Sequence, residues 1–209
     1  FLTFKHRFIN SYIQLKSSYY NEENIYTDSI RSIFGNNPCK TFINQIDLSK
    51  SINDFNLLKF NLTNSLANSN GNNFNETAKI NRTSFTSSFK INNPDFKLKH
   101  ILTTSILFDN NNLSPITFTY SLKREFLNQF NVYLNTGKVY RFPTINDLYW
   151  NPGGNENLLP ENGYTSDLGL VFTKKVNKAT LTFEPSLYSR WIDNWILWQP
   201  NGDFWSPMN

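Results

Sequence analysis

Histidines, cysteines and paired carboxylates are the side chains that most often carry reactions, and this chain of 209 residues offers few of them. His6 and His100 sit in alternating stretches without the spacing that metal ligation requires. Cys39 is alone, so neither an internal disulfide nor a cysteine-based metal site is available. Asp54 and Asp95 read as turn residues. There is no glycine-rich phosphate loop and no nucleophile elbow. Glycosidase carboxylates can lie far apart in sequence, but nothing here selects a pair. The reading is therefore not an enzyme, with no cofactor and no metal. The chemistry on offer is aromatic instead: Tyr149, Trp150, Trp195, Trp198, Phe204 and Trp205 gather in the C-terminal third. Such side chains join an apolar body to a polar tip, which suits an oil–water boundary or stacking on a bulky ligand. Most of them read as boundary residues. Tyr149, Trp150, Phe204 and Trp205 are the candidate ligand-binding residues.

The elements that must position them follow from composition and pattern. Aromatics make up 16% of the chain, with 19 Phe, 10 Tyr and 5 Trp, while charged residues are only 17%. A soluble domain carries about a quarter charged residues, and a disordered chain lacks this much Phe and Ile. Mean hydropathy is −0.48, and no run approaches the roughly 20 apolar residues that a membrane helix needs. A membrane barrel escapes that test, because every second residue of its strands faces water. The net charge of +4 and the pI near 9.1 come from scattered Lys and Arg. Even Lys97, Lys99 and His100 alternate with apolar neighbours as a strand would. No nucleic-acid module is visible, and no nucleic-acid partner is expected.

Strict apolar–polar alternation, the mark of a strand with one apolar face, recurs throughout. Ala179, Leu181, Phe183, Leu187, Trp191 and Trp195 share one parity; Thr180, Thr182, Glu184, Ser186, Tyr188 and Arg190 share the other. The same period predicts about ten strands, near residues 1–6, 11–28, 41–49, 54–67, 75–90, 96–108, 116–124, 128–140, 161–175 and 178–196. Many reach the roughly 9–11 residues that a tilted strand needs to cross a bilayer. Short connections (7–10, 50–53, 91–94, 125–127, 176–177) take turns with longer polar ones (30–40, 68–75, 109–115, 141–160 and after Trp198), the asymmetry of outer-membrane barrels. Residues 1–209 thus read as one partial barrel domain: an all-β, antiparallel, up-and-down transmembrane segment in contact with outer-membrane lipid. An open sheet edge in lipid leaves backbone groups unpaired at several kcal/mol each, so further strands are expected to close it.

Residues 141–150 read Arg-Phe-Pro-Thr-Ile-Asn-Asp-Leu-Tyr-Trp, and 151–161 read Asn-Pro-Gly-Gly-Asn-Glu-Asn-Leu-Leu-Pro-Glu. This stretch resembles the barrel signature of TonB-dependent outer-membrane receptors at Arg141, Pro143, Thr144, Asn146, Asp147, Leu148, Tyr149, Gly154, Asn155, Leu158, Pro160 and Glu161. The run Trp191 to Ile196 is similar to the strand that follows the signature, in the cobalamin-receptor branch as found in Bacteroidetes-like sequences. The last 70 or so residues carry the resemblance; the first 110 agree only in strand pattern. One departure is the insertion Asn151 to Gly153. The family implies a 22-stranded barrel in the outer membrane of a Gram-negative bacterium. It also implies an N-terminal plug, import powered through the inner-membrane TonB complex, and a small-molecule cargo such as cobalamin or an iron-siderophore. The plug domain lies outside these residues.

Within that frame Pro143 and Pro160 read first as strand terminators, since proline lacks a ladder donor. The functional reading places Arg141, Asp147 and Tyr149 in the lumen, with Arg141 and Asp147 paired where a partly dry site strengthens a charge pair. Glu184 and Arg190 share the expected lumen face, because Arg on the lipid face costs roughly 2–4 kcal/mol at mid-membrane. Two readings compete. A passive porin or glycan-importing barrel shares the alternation but lacks the signature at 141–161. A secreted β-sandwich adhesin or carbohydrate-binding module would bury its apolar faces against each other.

Overall fold

In the computed structural model, which describes all residues except 29–32, 75, 127 and 128, antiparallel strands follow one another in chain order. They are β1 (Leu2–Arg7), β2 (Ser11–Asp28), β3 (Ile33–Ser51), β4 (Asn56–Ser69), β5 (Ala78–Asn93), β6 (Leu98–Asp109), β7 (Asn112–Leu113), β8 (Thr117–Phe126) and β9 (Phe130–Arg141). A short helix, α1 (Ile145–Tyr149), precedes β10 (Glu161–Val176), β11 (Ala179–Phe183), β12 (Ser186–Asp193), β13 (Leu197–Asn201) and β14 (Phe204–Met208). One sheet runs β1-β2-β3-β4-β5-β6-β8-β9-β10-β11, with β12 also on β10 and β7 on β6; β13 and β14 form a separate hairpin.

β11 and β12 share one place on β10. Their register continues unchanged from Phe172↔Phe183 to Gly169↔Ser186, and the Leu170 N–H still donates to the Pro185 carbonyl at 3.0 Å. Only the donor that Pro185 lacks interrupts the ladder. The strand expected over 178–196 is thus one ladder with a gap, and the sheet has about the ten strand places that alternation predicts. The connection expected over 30–40 is a correction. β3 starts at Ile33 and pairs back along β2 as far as Asp28, so most of that stretch is hairpin. Pro38 is tolerated because β4 reaches only to Cys39↔Ser69. Its missing donor points past the end of β4, and its carbonyl on that side accepts the Ser69 hydroxyl at 3.0 Å. The strand expected at 75–90 lies three residues later, at Ala78–Asn93.

Register sorts the side chains into two faces. Phe4, Leu15, Ile46, Leu62, Phe85 and Ile106 stand directly opposite one another from β1 to β6. On the other face Gln14, Asp47, Asn61, Thr86, Ser105 and Thr117 do the same from β2 to β8. Hydroxyls and amides of this polar face bond across strands: Asn61 Nδ2 to Asp47 at 2.7 Å, Thr86 with Ser105 at 3.0 Å and Thr103 to Ser88 at 3.1 Å. Arg190 lies on the polar row of Thr119, Gly137 and Thr165, as its parity predicts. Among the described residues no second sheet covers the apolar face. Leu181, Phe183 and Trp191 are 58%, 62% and 65% exposed, which a β-sandwich would not allow.

Buried apolar residues lie elsewhere. Among the described residues they are Phe74, Ala78, Ile80, Phe142, Leu158 and Ile196, all at the end of the sheet where the longer connections gather. Ala78 and Ile80 share the polar face of β5 with Arg82 and Thr86 by parity. The buried apolar residues of that face, Ala78 and Ile80, therefore lie where the 142–160 connection covers it.

Candidate functional site

The site begins with two strand ends. Arg141 closes β9, Glu161 opens β10, and the two are direct ladder partners. The guanidinium grips Glu161 through both branches, Nε to Oε2 at 2.7 Å and Nη2 to Oε1 at 2.9 Å, the bidentate geometry that arginine favours for carboxylates. Its third nitrogen, Nη1, reaches Asp147 Oδ2 at 3.3 Å. One cation therefore faces two carboxylates, each side chain only 8% exposed, while the arginine keeps 43%. The surplus negative charge is met by neutral donors. Thr144 N–H donates to Asp147 at 2.9 Å, the Trp198 indole N–H to Asp147 at 3.0 Å, and the Ile196 N–H to Glu161 at 3.0 Å. Burial pushes the Asp147 carboxyl up, but the Thr144 and Trp198 hydrogen bonds and Arg141 outweigh it and hold Asp147 below the usual carboxylate range.

Local sequence explains how Asp147 gets there. Pro143 ends the strand, and Thr144 caps α1 in a reciprocal box. Its hydroxyl accepts the Asp147 N–H, and the Asp147 carboxylate accepts the Thr144 N–H. Downstream the Asp147 carbonyl accepts the Asn155 N–H at 2.8 Å. Gly154 sits so close that an added Cβ would lie 2.6–2.8 Å from backbone atoms of Leu148 and Trp150, so the turn has room only for glycine. Two further clasps tie the connection to distant strands. Arg82 on β5 bonds Asp109 at 2.9 Å and also donates to the Pro143 carbonyl. Asn73 exchanges bonds with Asn151, at 2.7 Å and 3.1 Å, and accepts from Asn37 at 3.0 Å.

Comparison with known proteins identifies the family. A family profile for the TonB dependent receptor-like β-barrel matches residues 2–209. The chain belongs to that family. Its members are transporters and receptors of the Gram-negative outer membrane rather than enzymes. Among sequence relatives are vitamin B12 transporters BtuB of Photobacterium profundum (32% identical over 108 residues, 49% of this chain and 16% of the relative) and Vibrio vulnificus (36% over 80 residues, 36% and 12%). Those matched stretches are under a fifth of the relatives' length. Solved barrels of the same fold include the siderophore receptor PirA from Pseudomonas aeruginosa and the copper transporter OprC. PirA has a TM-score of 0.65 at 10% identity, covering 97% of this chain and 46% of that one; OprC has 0.66 at 13%, covering 95% and 38%.

The twelve positions that the sequence reading singled out lie together around this connection. Arg141, Asp147 and Glu161 make its charged centre, and Pro143 and Thr144 start its helix. The Asn146 carbonyl accepts the Trp150 N–H at 3.2 Å, and Leu148 N–H donates to the Thr144 carbonyl at 3.1 Å. Asn155 reaches the Pro207 carbonyl at 3.3 Å; Leu158 is buried, and Pro160 leads into Glu161. The four candidate ligand residues divide. Tyr149 and Trp150 line a cleft of about 660 Å³ between residues 76–79 and the 148–156 stretch, with Trp150 set edge-on to Phe74 at 6.0 Å. Phe204 and Trp205 stand on β14, behind Gly153, and do not line it. Trp198, grouped by sequence with the boundary aromatics, is instead a brace on Asp147. Sequence reasoning also missed Arg82, Asp109 and Asn73. The parity of Arg82 with Ser84, Thr86 and Ser88 is the signal that could have placed it on the polar face.

Proposed function

We propose that the chain forms part of an outer-membrane importer for a bulky, scarce nutrient of cobalamin type. In this reading the apolar face meets lipid and the polar face lines the lumen. Further strands close the barrel, a plug domain of the parent protein fills it, and energy arrives through the inner-membrane TonB complex. One observation carries the proposal: the signature connection is folded over the polar face and clasped to β5 and to the β4–β5 connection, so that Tyr149 and Trp150 wall a cleft at the long-loop rim. The named vitamin B12 transporters among the relatives select cobalamin over siderophore as the first cargo to test.

The test is uptake of labelled cyanocobalamin by cells that lack their own cobalamin receptor and express the full-length parent protein. Uptake that needs both the protein and the proton-motive force supports the proposal. Energy-independent entry of small sugars without cobalamin uptake would assign a passive pore, and ferric-siderophore uptake alone would reassign the cargo.

A further inference from the structure

The ties that hold the 142–160 connection differ in where they act. Arg82 bonds the Pro143 carbonyl, and Arg141 bonds Asp147 and Glu161; none of these residues lines the cleft, whereas Asn151 does. Asn151 is held by Asn73. Its N–H donates to the Asn73 carbonyl at 2.7 Å, and its own carbonyl accepts Asn73 Nδ2 at 3.1 Å. The bonded backbone thus belongs to the residue directly after Trp150. Asn73 also leads into the opposite wall, since residues 76–79 follow it, and its neighbour Phe74 is the buried ring that Trp150 meets edge-on at 6.0 Å. Ser206 donates to the Gly153 carbonyl at 2.7 Å, which steadies one wall alone.

Behind Asn73 stands Asn37 of β3, and neither lines the cleft. Asn37 Nδ2 donates to Asn73 Oδ1 at 3.0 Å, and Asn37 Oδ1 accepts the Asn73 N–H at 3.1 Å. Asn73 thus commits its N–H, carbonyl, Oδ1 and Nδ2 to residues from two other parts of the chain. Both amides are buried, at 7% and 5% exposure. The Asn72 N–H adds a bond to the Asn36 carbonyl at 3.0 Å, and a Cβ added to Gly71 would collide with the backbone of Asn36 and Asn37. A buried amide with every polar group paired has one favoured arrangement. A cleft fixed in this way loses less freedom when it is filled.

We propose that Asn73, backed by Asn37, is the positioning residue that sets the width of the Tyr149–Trp150 cleft. The proposal rests on the reading of that cleft as the place where cargo binds. Its two walls, 76–79 and 148–156, are joined through the Asn73–Asn151 bonds. Removing the Asn73 side chain takes away one of those two bonds and leaves the buried Asn37 Nδ2 without its acceptor, a cost that a shift of the loop toward water relieves. The wall that carries Trp150 then moves away from 76–79. Asn37 acts at one remove. It touches nothing in the cleft, yet its loss takes the partners of Asn73 Oδ1 and of the Asn73 N–H together.

The test uses the full-length parent protein in detergent, spin-labelled through E76C and E156C on the two walls, with C39S removing the native thiol. Pulsed electron–electron measurements should give a narrow distance distribution in the parent and a longer or broader one in N73A and in N37A. R82A, which loses the tie to Pro143, should lower the unfolding midpoint and leave the distribution narrow. In unlabelled proteins, cyanocobalamin affinity should fall about five- to tenfold in N73A and N37A, the weight of roughly one hydrogen bond, with the amount bound at saturation unchanged. A distribution that stays narrow in N73A overturns the proposal, as does equal broadening in R82A, or broadening with no loss of affinity. Should N73A fail to fold, N37A carries the same criteria. A parent protein that binds no cyanocobalamin overturns the cargo reading, and the label distances still decide whether Asn73 sets the width.

Discussion

Toward the short turns, β4 to β8 are held by backbone ladders and by single hydroxyl contacts such as Thr86 with Ser105 at 3.0 Å. The apolar side chains of that region stay exposed on one face. At the opposite end the same strands run into a body with its own small core of Phe142, Leu158 and Ile196 and a charge cluster in which Arg141 serves two carboxylates. Removing one side chain from the ladder region leaves the remaining contacts intact, because each spans only one or two strands. The rim body is cooperative: its charges, cap and glycine turn share partners, so one loss strands several buried groups. Substitutions at the rim should therefore cost more than substitutions of equal size in the ladder region.

The largest effect is expected at Arg141. R141A leaves Asp147 and Glu161 buried without their cation, at about 3 kcal/mol, the low end for breaking a buried pair because the guanidinium is partly wet. R141K should recover little, since an ammonium cannot replace the forked contact. The measurement is the unfolding midpoint of the full-length parent protein in detergent, followed by heat-dependent gel mobility. An R141A protein as stable as the parent would remove the distinction between the two regions. G154A comes next, at about 2 kcal/mol, because the new methyl would meet backbone rather than a movable side chain. The same assay reads it, and a neutral result would show that the Leu148–Trp150 turn can shift.

Legibility in the sequence divides along the same line. The ladder region was readable, because a period of two is enforced by every strand that has one apolar face. Even the parity of Arg190 followed from it. At the long-connection end of β3, Asn36, Asn37 and Pro38 read as a loop and are strand, since Pro38 sits where β4 has ended. At the rim, the sequence reading named the residues and the Arg141–Asp147 pair, but not the bidentate Glu161 contact or the partners on distant strands. Alternation says nothing about which distant strand a 19-residue connection will touch. Arg82 and Asn73 thus gave no local sign of their contacts with Pro143 and Asn151, and Trp198 looked like any boundary aromatic.

Trp198 sharpens the comparison through pH. W198F keeps the ring and removes the N–H that Asp147 accepts, a loss of about 1.5 kcal/mol for a bond to a charged group. Folding lowers the Asp147 pKa, so its carboxylate stabilises the protein above the ordinary Asp value of about 4. That contribution fades as pH falls through this value toward the lower folded one. Unfolding midpoints should drop on acidification across that window in the parent protein, and by less in D147N. Equal acid sensitivity in the two proteins would place the titrating group elsewhere.

The smallest effect is expected from T86A, at about 0.5–1 kcal/mol, because only one cross-strand hydroxyl contact is lost. Ser105 also reaches the Phe85 carbonyl at 3.3 Å, so the hydroxyl left behind retains a partner. Pairing T86A with R141A makes the test stricter: the two sites share no partner, and their costs should add. A double variant markedly less stable than that sum would mean that ladder and rim unfold as one coupled network. A T86A loss matching that of R141A would mean that the polar face, and not the rim alone, holds the sheet through shared side-chain bonds.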